Sequence, residues 1–260
     1  MTLPNQIAEL VESTPARVGL CVVHASGAPG FGYREEEVFT QASAIKIPIL
    51  GTLNRLAADG RLALSETLPV DPSDGVGGCG VLQNFLPGAS RLALADLATL
   101  MIVLSDNVAT NLLIERIGFD AVNELIEDMH GSEATRLRRK MIDLEARKVG
   151  RENTATPRDA AVHMLRLAEN ANAGDPAALA TRRTLRLKKE SPVTAALPKD
   201  LLLATKPGML DGLRTEWSLV QDEGGGVDYA MALMADGADD AVLEPLFRRL
   251  AATIHSVVTR

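Results

Sequence analysis

Strand-like segments stand at both ends of this 260-residue chain, and helical ones fill its interior. Arg17 to His24, RVGLCVVH, is β-branched and apolar and reads as a buried strand. Gly27 to Gly32, with three glycines and a proline, reads as a hairpin turn into a second strand near Tyr33 to Phe39. Toward the other end Leu201 to Lys206, Leu213 to Val220 and Val227 to Ala235 read as three more strands, with Gly224-Gly225-Gly226 as a hairpin turn. Strands so far apart in the chain pair only if the two ends meet. An antiparallel sheet assembled from both ends is therefore expected, covered by amphipathic helices at Leu3 to Ser13 and Asp239 to Val258.

The interior reads as an all-helical lobe. Ile45 to Leu56 is an apolar run with helical spacing, closed by Asp59-Gly60. Leu94 to Leu104, Val108 to Ile117 and Asp120 to Met129 continue the pattern, and Leu68 to Gly80 reads as a loop. Glu133 to Arg158 is charged and poorly periodic, Thr156-Pro157 starts a helix over Ala160 to Asn172, and Thr181 to Ala196 suggests a short helix and a turn. The expected fold class is α+β in one domain, 1–260. Its α/β lobe comes from about 1–40 and 197–260 and its helical lobe from about 41–196.

With 46% hydrophobic residues the chain can bury a large core. A net charge of −7 argues against a nucleic-acid or anionic-membrane partner, and no apolar run reaches membrane-spanning length. The N-terminus shows no basic segment followed by an apolar core, so the chain as written reads as cytoplasmic, or as an exported protein whose leader has been removed. Oligomeric state is not legible. Cys21 and Cys79 lack the clustering of a zinc site, and Cys21 lies in a strand-like run as a buried thiol. The four histidines form no ligand pair, no G-x-S-x-G occurs, and neither a metal nor a cofactor is expected.

Three short motifs carry chemistry. Ser43-Ala44-Ile45-Lys46 places a hydroxyl and an amine one turn apart at a helix start, where unpaired N–H groups favour an anion. Pro48 fits the first turn of such a helix. Ser105-Asp106-Asn107 closes a buried helix, and Lys206-Pro207-Gly208 lies on a C-terminal strand. Ser43 to Ser105 spans 62 residues (105 − 43) and Ser105 to Lys206 spans 101 (206 − 105). Each motif alone is weak; ordered and spaced in this way, they are strong.

The set resembles S-x-x-K, S-D-N and K-T-G of the class A β-lactamases and penicillin-binding proteins, over nearly the whole chain. The resemblance implies the β-lactamase/transpeptidase-like fold and a small-molecule substrate, a β-lactam or ester, opened through an acyl-enzyme on Ser43. Lys46, desolvated and beside Lys206, would act as base. Ser105 would relay a proton to the departing nitrogen, and Asn107 would hold Lys46 and the substrate amide. Lys206 would receive the substrate carboxylate. The oxyanion hole would be the backbone N–H groups of Ser43 and of Met209, the residue after Gly208. Arg214 reads equally as a second carboxylate anchor or as a solvated strand-edge arginine.

Two departures qualify this. Pro207 stands where the family most often has Thr or Ser, which removes a hydroxyl and a ladder N–H and fits an edge strand beside a cleft. The loop before Thr156-Pro157 has no E-x-x-x-N, the family's water-activating glutamate followed by an asparagine. Glu145 is the best substitute by position, with Asp143 and Glu152 behind it, unless all three are solvated or paired with Arg138, Arg139 and Arg147. An esterase or peptidase-like acyl hydrolase, or a β-lactam binder that acylates without efficient deacylation, therefore stand as alternatives.

Overall fold

The computed structural model describes residues 3–25, 30–71, 75–86, 88–130, 132–222 and 227–259. Five strands form one antiparallel sheet in the order β2-β1-β9-β8-β7. They are β1 (Arg17–His24), β2 (Phe31–Tyr33), β7 (Leu202–Leu210), β8 (Leu213–Gln221) and β9 (Val227–Asp236). The two chain ends meet where β1 pairs with β9, from Arg17 opposite Asp236 to His24 opposite Tyr229. The expected second strand is shorter than the sequence implies: β2 ends at Tyr33, and Phe39–Thr40 (β3) pairs instead with Thr154–Ala155 (β6). The glycine turns expected near 27 and 224 fall on residues outside those described.

Alternation along the central strands assigns each residue to a face. Cys21, Ala230, Ala232, Met234, Trp217 and Leu219 pack into one core. Val18, Leu20, Val22, Val220, Tyr229, Met231 and Leu233 pack into the other. Because side chains point to opposite faces with period two, β1, β8 and β9 are buried on both sides; β1 and β9 read as apolar runs, while β8 buries polar side chains among its apolar ones. The second face is covered by α1 (Asn5–Glu12) and α10 (Asp240–Val258), through Ile7, Leu10 and Val11 of the first and Leu243, Phe247, Leu250 and Ile254 of the second.

The first face receives the helices of the chain's middle. These are α2 (Lys46–Ala58), α3 (Leu94–Val103), α4 (Asn107–Ile117), α5 (Phe119–His130), the five-residue α6 (Leu144–Lys148), α7 (Pro157–Asn172) and α8 (Pro176–Leu185), whereas the five-residue α9 (Pro192–Ala196) packs on α10 with Val193 in the second core. The stretch 181–196 thus divides between two helices, each opened by an Asp or Ser cap and a proline. Thr156 caps α7 by accepting from the Asp159 N–H, and α7 lies across β1, β8 and β9. A small hairpin of β4 (Thr67–Val70) and β5 (Ser90–Ala93) occupies part of the segment read as loop. Its strands are mostly exposed, so they lack the apolar pattern that would have marked them. No described helix is long and apolar enough to cross a membrane.

Candidate active site

Ser43 lies on a 3-10 turn, Ala42–Ile45, that runs directly into α2, whose first residue is Lys46. The expected helix start is therefore a tighter turn than α-helix. At three residues per turn, positions 43 and 46 share one face. Ala42, just before the serine, has φ 44°, a left-handed backbone that a non-glycine residue adopts only when its surroundings hold it there. Gln41 supplies the hold. Its side chain is fully buried, accepts from the Trp217 indole N–H at 2.7 Å and donates to the Phe39 carbonyl at 3.0 Å. Its carbonyl accepts from the Thr215 hydroxyl at 2.9 Å, and its N–H donates to the Asn153 carbonyl at 2.9 Å. The turn is thereby fixed to β8 and to the segment entering α7.

Lys46 is 0% exposed. Its amine donates to the Ser105 carbonyl at 2.7 Å, the Ser105 Oγ at 3.1 Å and the Asn107 Oδ1 at 3.0 Å. Ser105 also has a left-handed φ, 53°, and its hydroxyl is reached from the other side by the Lys206 amine at 3.1 Å. One hydroxyl thus stands between two lysines. Burial, and then the neighbouring Lys206 charge, hold the Lys46 amine well below the ordinary lysine range. Burial and the charge of Lys189 bring Lys206 down to about 7. Lys46 in its neutral form keeps two donors and gains a lone pair, so the Ser105 hydroxyl can turn its proton toward Lys46 while accepting from the Lys206 ammonium.

Asp106 fixes this motif from beneath. Fully buried, it caps α4 by accepting from the Ala109 N–H at 2.9 Å and accepts from the Val81 and Leu82 N–H groups at 2.7 and 3.0 Å. Asn107 donates from its side chain to the Gly77 carbonyl at 3.1 Å and from its backbone to the Cys79 carbonyl at 3.1 Å. The glycine-rich segment 75–80 is thus laid over the Ser-Asp-Asn turn, with Cys79 exposed at the rim.

β7 forms the opposite wall. It is the edge strand of the sheet, so Pro207 removes no ladder partner on its open side. Gly208 permits its approach: a Cβ there would lie 2.8 Å from both the Gln41 carbonyl oxygen and the Ser43 nitrogen. Ser43, Cys79, Ser105, Lys206, Gly208, Met209 and Arg214 line a cleft of about 920 Å³, with Lys46 and Asn107 hydrogen-bonded behind Ser105. Arg214 is nearly buried, neither free nor solvated: its Nε and Nη2 donate to Asp240 Oδ1 at 2.9 and 2.6 Å.

Glu145 is not brought to this cleft. It stands on α6 with its side chain 83% exposed, paired with Lys148 at 2.7 Å. Asp143 caps α6, and Glu152 pairs with Arg139 and Arg147. What abuts the Ser-Asp-Asn turn from that loop is apolar. Asn111 clasps the Met141 backbone with both ends of its amide, at 2.7 and 3.2 Å. The next residue, Ile142, has φ 58° and reaches the edge of Gly78 beside the Asn107 amide. Among the described residues no three histidine, cysteine or carboxylate side chains gather as metal ligands would.

The model of the β-lactamase enzyme family matches residues 2–258. The chain belongs to that family. A β-lactamase of Rhodobacter capsulatus is 34% identical over 116 residues, 45% of this chain and 39% of that protein. The chain spans about half the length, or less, of the curated relatives it matches. Among solved structures, a β-lactamase from Sphaerobacter thermophilus superposes with a TM-score of 0.88 at 28% identity, over 98% of this chain and 97% of the other. A mutant of PBP-A, solved as an acyl-enzyme complex with penicillin G, gives a TM-score of 0.86 at 27% identity, covering 97% and 94%. This β-lactamase family member has the β-lactamase/transpeptidase-like fold, with the antiparallel sheet and helices described above.

Sequence reasoning passed over two residues in the site region. Gln41 escaped because a polar residue beside a serine looks like a loop. Glu216 escaped because it was read only as part of a strand. The signal for it was the one acid of LRTEWSLVQ, flanked by Leu213, Trp217, Leu219 and Val220.

Proposed function

We propose that this protein is a serine acyl hydrolase that opens β-lactam amides through an acyl-enzyme on Ser43. The observation that carries the reading is the Ser105 hydroxyl held between the Lys46 and Lys206 amines at the mouth of the Ser43 turn. In the first step Ser43 Oγ bonds to the carbonyl carbon and its proton passes to the neutral Lys46 amine. The backbone N–H groups of Ser43 and Met209 receive the oxyanion; losing one such donor typically costs about 2.7–4 kcal/mol. The C–N bond then breaks, and the departing nitrogen takes a proton through Ser105 Oγ, replenished from Lys46. Lys206 as ammonium, with Arg214 behind it, attracts the substrate carboxylate. Hydrolysis of the Ser43 ester by water completes turnover.

A second reading is favoured by the placement of Glu145. With that carboxylate paired to Lys148 in solvent and apolar Ile142 reaching Gly78 beside the Asn107 amide, the ester would form readily and be released slowly. Intact-mass measurement after a pulse of penicillin G or nitrocefin tests both. An adduct on Ser43 that disappears within seconds supports hydrolysis; one that persists for many minutes supports the slow-release reading. An unmodified Ser43 with no turnover rules out both.

A further inference from the structure

Glu216 is a carboxyl with no exposed surface in the middle of β8, opposite Pro207 of the catalytic strand. Three donors reach it from two elements. Thr205, next to Lys206 on β7, donates to Oε1 at 2.6 Å; Ser191 donates to the same oxygen; and the Val193 N–H approaches Oε2 at 3.4 Å. Ser191 caps α9 by accepting the Thr194 N–H at 2.9 Å, which leaves its own proton for Glu216. Ser191 and Thr194 line the cleft, so one carboxyl ties the cleft wall to the strand that carries Lys206.

The charges around Lys206 are few. The ammonium group of Lys189 disfavours its charge, and the Cys79 sulfur and Glu216 favour it; the Lys206 charge and Asp106 in turn act on Lys46. Among the described residues Glu216 is thus the one carboxylate whose field reaches Lys206. Burial raises its own pKa above the ordinary carboxylate value, and Ser191, Thr205, the Val193 N–H and the Lys206 charge hold that rise back.

We propose that Glu216 is a positioning residue for Lys206: it clamps the α9 wall to β7 and places a negative charge behind the ammonium that receives the substrate carboxylate. The catalytic consequence rests on the acyl-enzyme reading above; the charge relation does not, and can be measured in the free protein.

The test is Glu216→Gln, which keeps the shape and one acceptor oxygen and removes the charge, alongside Glu216→Asp, which keeps the charge. Folding of each is checked by thermal melting. The Lys206 side-chain resonance is titrated in ¹³C-lysine-labelled free protein, and KM and kcat of Ser43 acylation by penicillin G are followed over the same pH range. Removing a negative charge lowers the pKa of a nearby ammonium. The Lys206 titration should therefore move down by about half to one pH unit in Glu216→Gln and stay near wild type in Glu216→Asp. KM at a pH near 7.5 should rise roughly threefold to tenfold in Glu216→Gln, because above its midpoint the charged fraction of an amine falls about tenfold per pH unit; at a pH near 6 it changes by less than about twofold. A Lys206 titration that does not move in Glu216→Gln overturns the inference, and so does one displaced equally in Glu216→Asp. If the glutamine variant fails to melt cooperatively, Glu216→Asp decides alone: an unmoved titration supports the charge and a displaced one overturns it. Wild-type protein that never acquires an adduct overturns the acyl-enzyme reading and leaves the titration standing.

Discussion

The two faces of the sheet are buried to similar depth and built by opposite rules. On the face toward α1 and α10, Leu20, Val22, Met231, Leu233, Phe247 and Leu250 meet side by side as an apolar layer. Where β7 and β8 meet the Ser43 turn on the other side, Gln41, Lys46, Asp106, Asn107, Lys206 and Thr215 are all buried. The backbone follows the same division. Of the four described non-glycine residues with left-handed φ, Ala42, Ser105 and Ile142 flank the cleft; only Arg34 lies elsewhere. The apolar face supplies stability that the polar seam spends on buried amines and strained turns.

That division predicts separable effects, and the largest is on the apolar face. Phe247 is wholly buried in α10, and Phe247→Ala should destabilise the fold by about 3–5 kcal/mol through lost burial and a cavity. Ser43 acylation measured well below the melting temperature should be unchanged. A parallel loss of acylation in the folded variant would show that the two faces are coupled and break the contrast.

Gly208→Ala probes the seam. Its new Cβ would fall 2.8 Å from two backbone atoms of the Ser43 turn, so β7 or the turn must shift. A displacement of that order costs about 100-fold in reactivity when it misplaces reacting groups. Acylation should fall by about that factor, and a rate within about threefold of wild type would mean that the turn yields without consequence.

The pH dependence sharpens the same contrast. Lys206 titrates at about 7, below the ordinary lysine value, so its ammonium is present at lower pH and lost as pH rises through that point. KM for a substrate with a free carboxylate should therefore rise by up to about tenfold per pH unit above it, while the corresponding methyl ester shows no such limb. At low pH the Lys46 amine takes up a proton and acylation of both substrates should fall together, because the base is lost. Equal behaviour of acid and ester at high pH would remove Lys206 as the carboxylate receptor.

Much of this division was legible in the sequence. Two-faced burial of β1 and β9 shows as apolar runs, and the helices show as 3.6-residue periodicity closed by Asp-Gly or opened by Thr-Pro. The three motifs marked the seam because their chemistry needs fixed residue types. Three things stayed hidden, each for a physical reason. The β4–β5 hairpin buries too little to carry a pattern. The partner of the Gln41 side chain lies on a strand distant in the chain, and those of Glu216 depend on the register of β7 against β8 and on where α9 starts. The orientation of Glu145 depends on how a short charged loop folds, and neither its composition nor its spacing encodes that.

The smallest expected effect concerns that loop. Glu145 is exposed and its one ion pair, to Lys148, is a solvent-facing contact between residues three apart. Such pairs contribute roughly 0–1 kcal/mol, so Glu145→Ala should shift stability by about 0.5 kcal/mol or less. In this geometry it should also leave the lifetime of the Ser43 adduct unchanged, because the carboxylate is turned away from the cleft. An adduct that persists markedly longer in Glu145→Ala than in wild type would mean that α6 reorients after acylation and carries Glu145 to the ester. The loop would then belong to the seam rather than to the solvated surface, and the boundary between the two kinds of burial would move outward to include it.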